Sequence, residues 1–255
     1  MNTMSKTVFR RLALAVVYVA ASIVLPANAE TVSIYTYHNH PPFIVGTEKG
    51  LTYDFVDFLN RKANGNPAFQ VVVVPRARLD KIVATPSFNG AVAWVNPAWF
   101  KDKDRIHYLW SDRVLDDANV ILSNVSDKID YKTPLSLKGK RFGGVLGHSY
   151  AGIDELVAAG VLKREDANTE RSNVLKLAAE RIDATLLPRS TAHYLLHELG
   201  LTQKIYIAPN VHSSFSRHVL ISKNNPALHR FVNEAVGEMT RNDAWLATLA
   251  RYKSN

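Results

Sequence analysis

The stretch TVSIYTYHNHPPFIVGTEKGLTYDFVDFLNRK, residues 31–62, decides the fold class of this chain. Residues 31–37 are mostly β-branched or aromatic and predict a strand. After a loop with two prolines, the next residues place Leu51, Phe55, Phe58 and Leu59 on one side of a helix. A buried strand that leads into an amphipathic helix is typical of α/β proteins.

The same alternation continues along the chain. Further strands are predicted at residues 71–74, 91–95, 120–122, 141–146, 182–187, 204–208 and 217–222. Further helices are predicted at residues 77–84, 150–160, 173–181 and 191–199, followed by two closing helices, the first opened by Asn225-Pro226. The pattern is that of two α/β units in succession.

No Gly/Ser-rich or Pro-rich linker separates the two units, which favours two lobes joined by closely spaced strands. The connecting strands are expected near residues 120–124 and 216–222. Residues 30–120 and 216–255 would then form lobe 1, and residues 121–215 lobe 2. A ligand cleft is expected between the lobes, with hinge closure around the ligand.

Composition excludes several classes of protein. The 255 residues contain no cysteine, are 47% hydrophobic and 21% charged, and carry a formal charge of +8. A disulfide scaffold, a thiolate metal site and a disordered chain are therefore excluded. The remaining class is a globular protein with a sizeable core.

The N-terminus resembles an export signal. Lys6, Arg10 and Arg11 precede an apolar run at residues 12–25, which is followed by Ala-Asn-Ala at 27–29. We expect residues 1–29 to be removed as a signal peptide; the alternative, a retained anchor, is disfavoured because a spanning helix needs ~20 apolar residues. The mature chain would carry a net charge of +5, since the segment holds three basic and no acidic residues. The expected location is the periplasm, with no nucleic acid as a partner.

Six short motifs follow one another along the mature chain. They are His40-Pro41-Pro42-Phe43, Gly50-Leu51-Thr52-Tyr53-Asp54-Phe55, Arg105 with Trp110-Ser111-Asp112, Leu137-Lys138-Gly139-Lys140, Gly147-His148-Ser149 and Arg181-Ile182-Asp183-Ala184. In order and approximate spacing, the chain resembles the family 3 extracellular solute-binding proteins, the periplasmic receptors, mostly for polar amino acids, of ABC importers. The resemblance implies a two-lobed periplasmic-binding-protein-like (type II) α/β fold with a hinge and an interlobe cleft. It also implies a small-molecule ligand, no covalent chemistry, and an inner-membrane ABC permease or sensor as partner. We expect no cofactor, no metal and a monomer; a metal site formed by His38, His40 and His148 at the mouth of the cleft is the alternative.

The resemblance nominates ligand contacts in lobe 1. His40 stands where the family usually has an aromatic ligand contact, and Tyr53 matches an aromatic residue that stacks on the ligand. The loop that lines the cleft floor in the family offers Trp94, Asn96 and Trp99 here. A surface position for Tyr53 and a core position for the tryptophans are the alternatives.

Charged and polar anchors are nominated as well. Arg105 matches the family arginine that grips the ligand carboxylate, with a solvated charge cluster as the alternative. Arg78 resembles a Pro-x-x-Arg element of more divergent relatives, with an exposed helix arginine as the alternative. His148 and Ser149 lie in a glycine turn before a predicted helix, where free backbone N–H groups favour an anion; Ser149 would also serve as the helix N-cap.

One departure from the family concerns the ligand. Pro188 stands where amino-acid receptors of the family usually have the aspartate that binds the α-ammonium. Arg189 beside it points instead toward an acidic ligand. Glu180 replaces a family glycine. The expected ligand is therefore an organic acid or a modified amino acid as readily as a free amino acid.

Catalytic motifs are absent from the sequence, which has no Gly-x-Ser-x-Gly, no P-loop and no cysteine nucleophile. We expect a protein, not an enzyme, that binds a small polar, carboxylate-bearing solute, an amino acid or related organic acid, for an ABC importer. The alternatives are a dehydratase-like enzyme on the same scaffold and a ligand sensor for a membrane signalling protein.

Overall fold

The computed structural model describes residues 31–254, so the predicted signal peptide lies outside the described residues. The strands are β1 (Thr31–Thr36), β2 (Ala68–Val73), β3 (Ala91–Val95), β4 (Leu109–Trp110), β5 (Leu115–Asn124), β6 (Arg141–Gly143), β7 (Lys163–Arg164), β8 (Ala184–Pro188) and β9 (Ile205–Ile221). The helices are α1 (Leu51–Ala63), α2 (Arg76–Val83), α3 (Ile153–Ala158), α4 (Glu170–Ala178), α5 (Arg189–Glu198), α6 (Pro226–Met239) and α7 (Asp243–Ser254). None of the helices in this range is long and apolar enough to cross a membrane.

The two lobes repeat one strand order. In lobe 1, β1 lies between β2 and β3 in parallel, and β9 joins β3 in antiparallel orientation. In lobe 2, β6 lies between β7 and β8 in parallel, and β5 joins β8 in antiparallel orientation. This arrangement confirms the predicted two-lobed α/β fold.

The lobes are connected by β5 and β9, which pair with each other from Leu115↔Arg217 to Asn124↔Ile205. The prediction of two separate strands at 204–208 and 217–222 is wrong, because β9 runs unbroken for 17 residues. The residues between those two segments are mostly polar and carry no apolar alternation. They form strand because β5 supplies hydrogen-bond partners, which is a tertiary effect.

Helices cover both faces of each sheet. In lobe 1 the alternation along β1 directs Ile34 into a core with α1, α6 and α7, and Tyr35 toward the opposite face with α2. In lobe 2 the same alternation along β5 directs Ile121 and Val120 into separate cores. Buried parallel strands covered on both faces are the expected arrangement for α/β lobes.

Gly50 allows the His40–Phe43 loop, which reaches the cleft, to pack against the start of helix α1. Its φ is 127°, and a Cβ at this position would lie 2.5 Å from the Phe43 carbonyl oxygen. The amide of Leu51 donates to Pro42 O, and the amide of Thr52 donates to Phe43 O. Only glycine allows this close approach, so the His40–Phe43 turn is held in place by the start of α1.

Candidate ligand-binding cleft

A cavity of about 650 Å³ lies between the two lobes. Lobe 1, lobe 2 and the connecting strands all contribute to its lining, which is Tyr37, His38, Asn39, His40, Pro41, Trp99, Asn119, Val145, Leu146, His148, Tyr150, Asn168, Thr169, Glu170, Arg171, Leu186, Pro188, Phe215 and Arg217. Its size is that of a small-molecule site.

Arg217 on β9 forms the base of the cavity and is 1% exposed. Its Nη2 and Nε lie 3.0 and 3.2 Å from Asp117 Oδ2 on β5. The same carboxylate accepts a hydrogen bond of 2.7 Å from the hydroxyl of Ser190 in α5. Burial lowers the pKa of Arg217, and the Asp117 carboxylate opposes this shift. The pair therefore ties both connecting strands to lobe 2.

Trp94 contributes its backbone, not its ring, to this base. The register of β3 shifts between Val92 and Val95, and Trp94 has a φ of 68° within the irregular stretch. Its carbonyl accepts a 3.0 Å hydrogen bond from Arg217 Nη1. The indole is 1% exposed in the lobe 1 core, where Nε1 donates to Thr52 Oγ1.

Aromatic rings form one wall of the cavity. Trp99 and Phe215 meet edge to face with ring centroids 5.1 Å apart, and the Arg217 guanidinium lies 5.0 Å from the Phe215 centroid. Arg76 lies 5.1 Å from the ring of Tyr37 and donates to Trp99 O. Arg76 thus contacts two residues of this wall, Tyr37 and Trp99, and stabilises their positions.

Two histidines of lobe 1 continue this wall. Burial is the main cause that lowers the pKa of His38 well below its usual value, and Arg217 adds to the shift. Burial also lowers the pKa of His40, while Glu170 across the cavity opposes the shift. Both rings are therefore neutral at neutral pH. His40 Nδ1 lies 3.1 Å from Thr191 Oγ1, which is a direct polar contact between the lobes.

Lobe 2 presents the first turn of α4 to the cavity. Thr169 is the N-cap, with its hydroxyl accepting from Ser172 N at 3.1 Å. Glu170 and Arg171 follow and line the cavity. Arg171 forms an ion pair with Glu198. Charged groups therefore face the aromatic wall of lobe 1.

The turn at Gly147-His148-Ser149 does not lead directly into a helix, although the sequence predicted that it would. Helix α3 begins only at Ile153, with Gly152 as its N-cap, so Ser149 is not the N-cap and is exposed. Arg164 donates to His148 O at 2.9 Å and pairs with Asp154. Contacts of Arg164, and not the start of a helix, therefore stabilise this turn.

The ten predicted site residues divide into two groups. His40, Trp99 and His148 line the cavity, whereas Tyr53, Arg78, Trp94, Asn96, Arg105, Ser149 and Arg189 do not. Arg78, Arg105 and Arg189 are exposed. Asn96 caps the turn after β3, accepting from Ala98 N and donating to Ser216 O. Sequence reasoning missed Arg217, Asp117, Tyr37, Phe215 and Glu170.

Arg105 belongs to a loop that is organised by a buried carboxylate. Asp102 is 2% exposed, and accepts hydrogen bonds from the amides of Ile106, His107 and Tyr108 and from Trp110 Nε1. Burial alone would raise the pKa of Asp102, but these four donors lower it overall. Arg105 itself adopts a φ of 55°, is exposed and does not line the cavity.

Asp102 is expected to make the protein sensitive to acid. Because its pKa is lower in the folded state, its stabilising contribution is complete above the unfolded-state pKa of about 4 and is lost as the pH falls through the folded-state pKa. Asp102→Asn should lower the free energy of unfolding at pH 7 by about 1–3 kcal/mol, since an amide cannot satisfy four donors. Urea unfolding between pH 7 and acid should show a flatter pH dependence for this variant. Asp104→Asn, an exposed change in the same loop, should behave as wild type; identical acid profiles for all three proteins would contradict the prediction.

Among residues 31–254, no group of three or more His, Asp or Glu side chains is arranged to hold a metal ion. The histidines at the cleft are arranged as ring contacts instead, with His38 and His40 centroids 5.6 Å apart.

No family model matches the sequence, and no curated protein matches it either. Solved structures do match. An ancestral arginine-binding protein bound to arginine is 16% identical with a TM-score of 0.67, covering 87% of this chain and 97% of its own. A mutant of ArgBP from T. maritima is 18% identical with a TM-score of 0.66, covering 88% and 96%. An ancestral amino acid-binding protein described as a precursor of cyclohexadienyl dehydratase is 16% identical with a TM-score of 0.63, covering 88% and 96%.

These likenesses extend over nearly the whole of the described chain and of each matched structure. At sequence identities below about 20%, these similarities show a shared fold and do not identify the ligand. The chain therefore has the two-lobed fold of the amino-acid-binding proteins, the fold that its sequence motifs implied.

Proposed function

We propose that this protein binds a small polar solute, an amino acid or a related organic acid, between its lobes and releases it to an inner-membrane partner. The observation that carries the proposal is the cavity of about 650 Å³ whose lining comes from both lobes and from β5 and β9. A site built in this way is complete only when the lobes are together. Ligand binding and lobe closure are then one event.

The connecting strands suit such a motion. Residues 30–120 with 216–255 would move as lobe 1 and residues 121–215 as lobe 2, with β5 and β9 between them. The register of the β5–β9 pair shifts between Asn119 and Leu122, and a ladder that is irregular there bends more readily than a regular one. The polar contact between His40 and Thr191 would form on closure and break on opening.

Export to the periplasm and delivery to an ABC permease complete the proposal. The motif order along the mature chain supports it, and so do matched structures such as the substrate-binding protein of an amino acid ABC transporter, 18% identical with a TM-score of 0.58. Cleavage after residue 29 is checked by N-terminal sequencing of the protein recovered from a periplasmic extract.

Ligand should stabilise the folded protein. A ligand at 100 times its Kd adds about 2.7 kcal/mol to the free energy of unfolding. A thermal-shift screen of the common amino acids, dicarboxylates, sugars and metal ions should therefore give responders among the first two groups only. A screen without any responder, or with sugars alone, would overturn the proposal.

An enzyme on the same scaffold is the second candidate, favoured by one observation. Glu170 and His40 both line the cavity, and the charge of Glu170 acts on the His40 ring; a carboxylate and a histidine in one cavity are a pair suited to acid–base chemistry. A matched structure that is described as an amino acid-binding precursor of cyclohexadienyl dehydratase supports this candidate. Mass spectrometry of each screened responder after prolonged incubation separates the two: a binding protein returns its ligand unchanged.

A further inference from the structure

The charges of the side chains that line the cavity do not cancel. The excess charge indicates which charged group the ligand carries. Arg217 is neutralised by Asp117, and Arg171 is neutralised by Glu198. Among the residues that the structure describes, Glu170 accepts no side-chain hydrogen bond and forms no ion pair; its charge acts on the neutral side chains of His40 and Tyr150. The lining therefore holds one carboxylate without a counter-charge.

The nearby protein groups do not supply that counter-charge. His40 lies close enough to feel the charge of Glu170, yet its burial keeps the ring neutral at neutral pH. Pro188, which stands where the family has a carboxylate, lines the same cavity without any charge.

We propose that Glu170 binds a cationic nitrogen of the ligand, an ammonium in the first instance. This inference rests on the proposed function and names the ligand class within it: a zwitterion rather than a simple carboxylic acid. It revises the expectation from Pro188 that organic acids bind as well as amino acids.

Closure of the lobes strengthens the argument. As the cleft closes, Glu170 loses water, and burying a carboxylate without a partner is unfavourable. A ligand ammonium removes that penalty, whereas a ligand with only carboxylates adds a second negative charge beside the first.

The test compares ligands that differ by one amino group. Calorimetric titrations use L-glutamine against glutaramate and L-glutamate against glutarate, on wild type, Glu170→Gln and Glu155→Gln. Glu155 is a matched control, because it also lies in the first turn of a lobe 2 helix but does not line the cavity.

Wild type should bind the better amino-bearing probe about 10- to 100-fold more tightly than its partner without the amino group. Glu170→Gln should lose most of that preference by weakening only the amino-bearing probe, and Glu155→Gln should retain it. Glu170→Gln should also melt no lower than wild type without ligand, since the carboxylate it removes has no partner to lose.

Two outcomes overturn the inference and leave the proposed function standing. In the first, Glu170→Gln weakens both members of a pair equally, which would assign Glu170 to lobe closure through His40. In the second, wild type prefers glutarate or glutaramate. If the thermal-shift screen gives no responder at all, the proposed function itself fails and the inference falls with it.

Discussion

Asp117→Ala should destabilise the folded protein by about 3–5 kcal/mol, because it leaves the Arg217 guanidinium buried and unpaired. The side chains of this ion pair are 1% and 2% exposed, so water does not replace the lost carboxylate. The substitution also removes the acceptor of the Ser190 hydroxyl. Urea denaturation monitored by tryptophan fluorescence measures the change.

The double variant Asp117→Ala/Arg217→Met provides the control for folding. It removes both charges, so it should recover much of the stability lost in the single variant, as buried ion pairs replaced by apolar groups often do. Asp116→Ala is the surface control, since the Asp116–Arg113 pair is about two-thirds exposed and worth little. A single Asp117 variant as stable as the Asp116 variant would contradict the assigned role of the pair.

Trp94→Ala and Trp99→Ala should separate a core tryptophan from a cleft tryptophan. Trp94 is enclosed by Phe43 and Phe55, with ring centroids 5.4 Å away in each case, and its truncation should cost about 3–5 kcal/mol of stability. Trp99 is half-buried and lines the cavity, so its truncation should cost less stability but weaken a ligand found in the screen by about 10-fold or more.

Thermal unfolding with and without that ligand measures both effects. Trp94→Phe, which keeps most of the ring volume, tests the same point if Trp94→Ala does not fold. A Trp94 variant that folds stably but loses ligand binding would restore this residue to the site and remove it from the core.

Local periodicity explains how much of the fold was predictable. The helix predicted at 51–62 is α1, and the strand predicted at 91–95 is β3, because both have an apolar pattern of the correct period. The predicted helix at 173–181 begins three residues earlier in the structure, at Glu170. Its first turn is polar, so the apolar pattern did not extend to it, and Glu170, which lines the cavity, was missed.

The base of the cleft depends on contacts between distant residues, which no local pattern reveals. Arg217 lies among serines and histidine in a strand, where an arginine is expected to be solvated. Its partner Asp117 is 100 residues away in sequence, and Arg217 also donates to the carbonyl of Trp94, a residue with positive φ. The family resemblance predicted that Arg105 binds the ligand carboxylate, yet the structure places Arg105 on an exposed loop and Arg217 in the cavity.

Strand β9 also determines when each lobe is able to fold during synthesis. Its C-terminal part lies beside β3, and Val219, Val232 and Trp245 belong to the same core as Ile34 of β1. A growing chain that has reached α5 therefore holds most of lobe 2 but lacks a sheet strand and two helices of lobe 1. Contacts between the first and last segments close long loops, which slows folding. Lobe 1, although it begins first along the chain, thus completes its sheet and core only after β9, α6 and α7 have been synthesised.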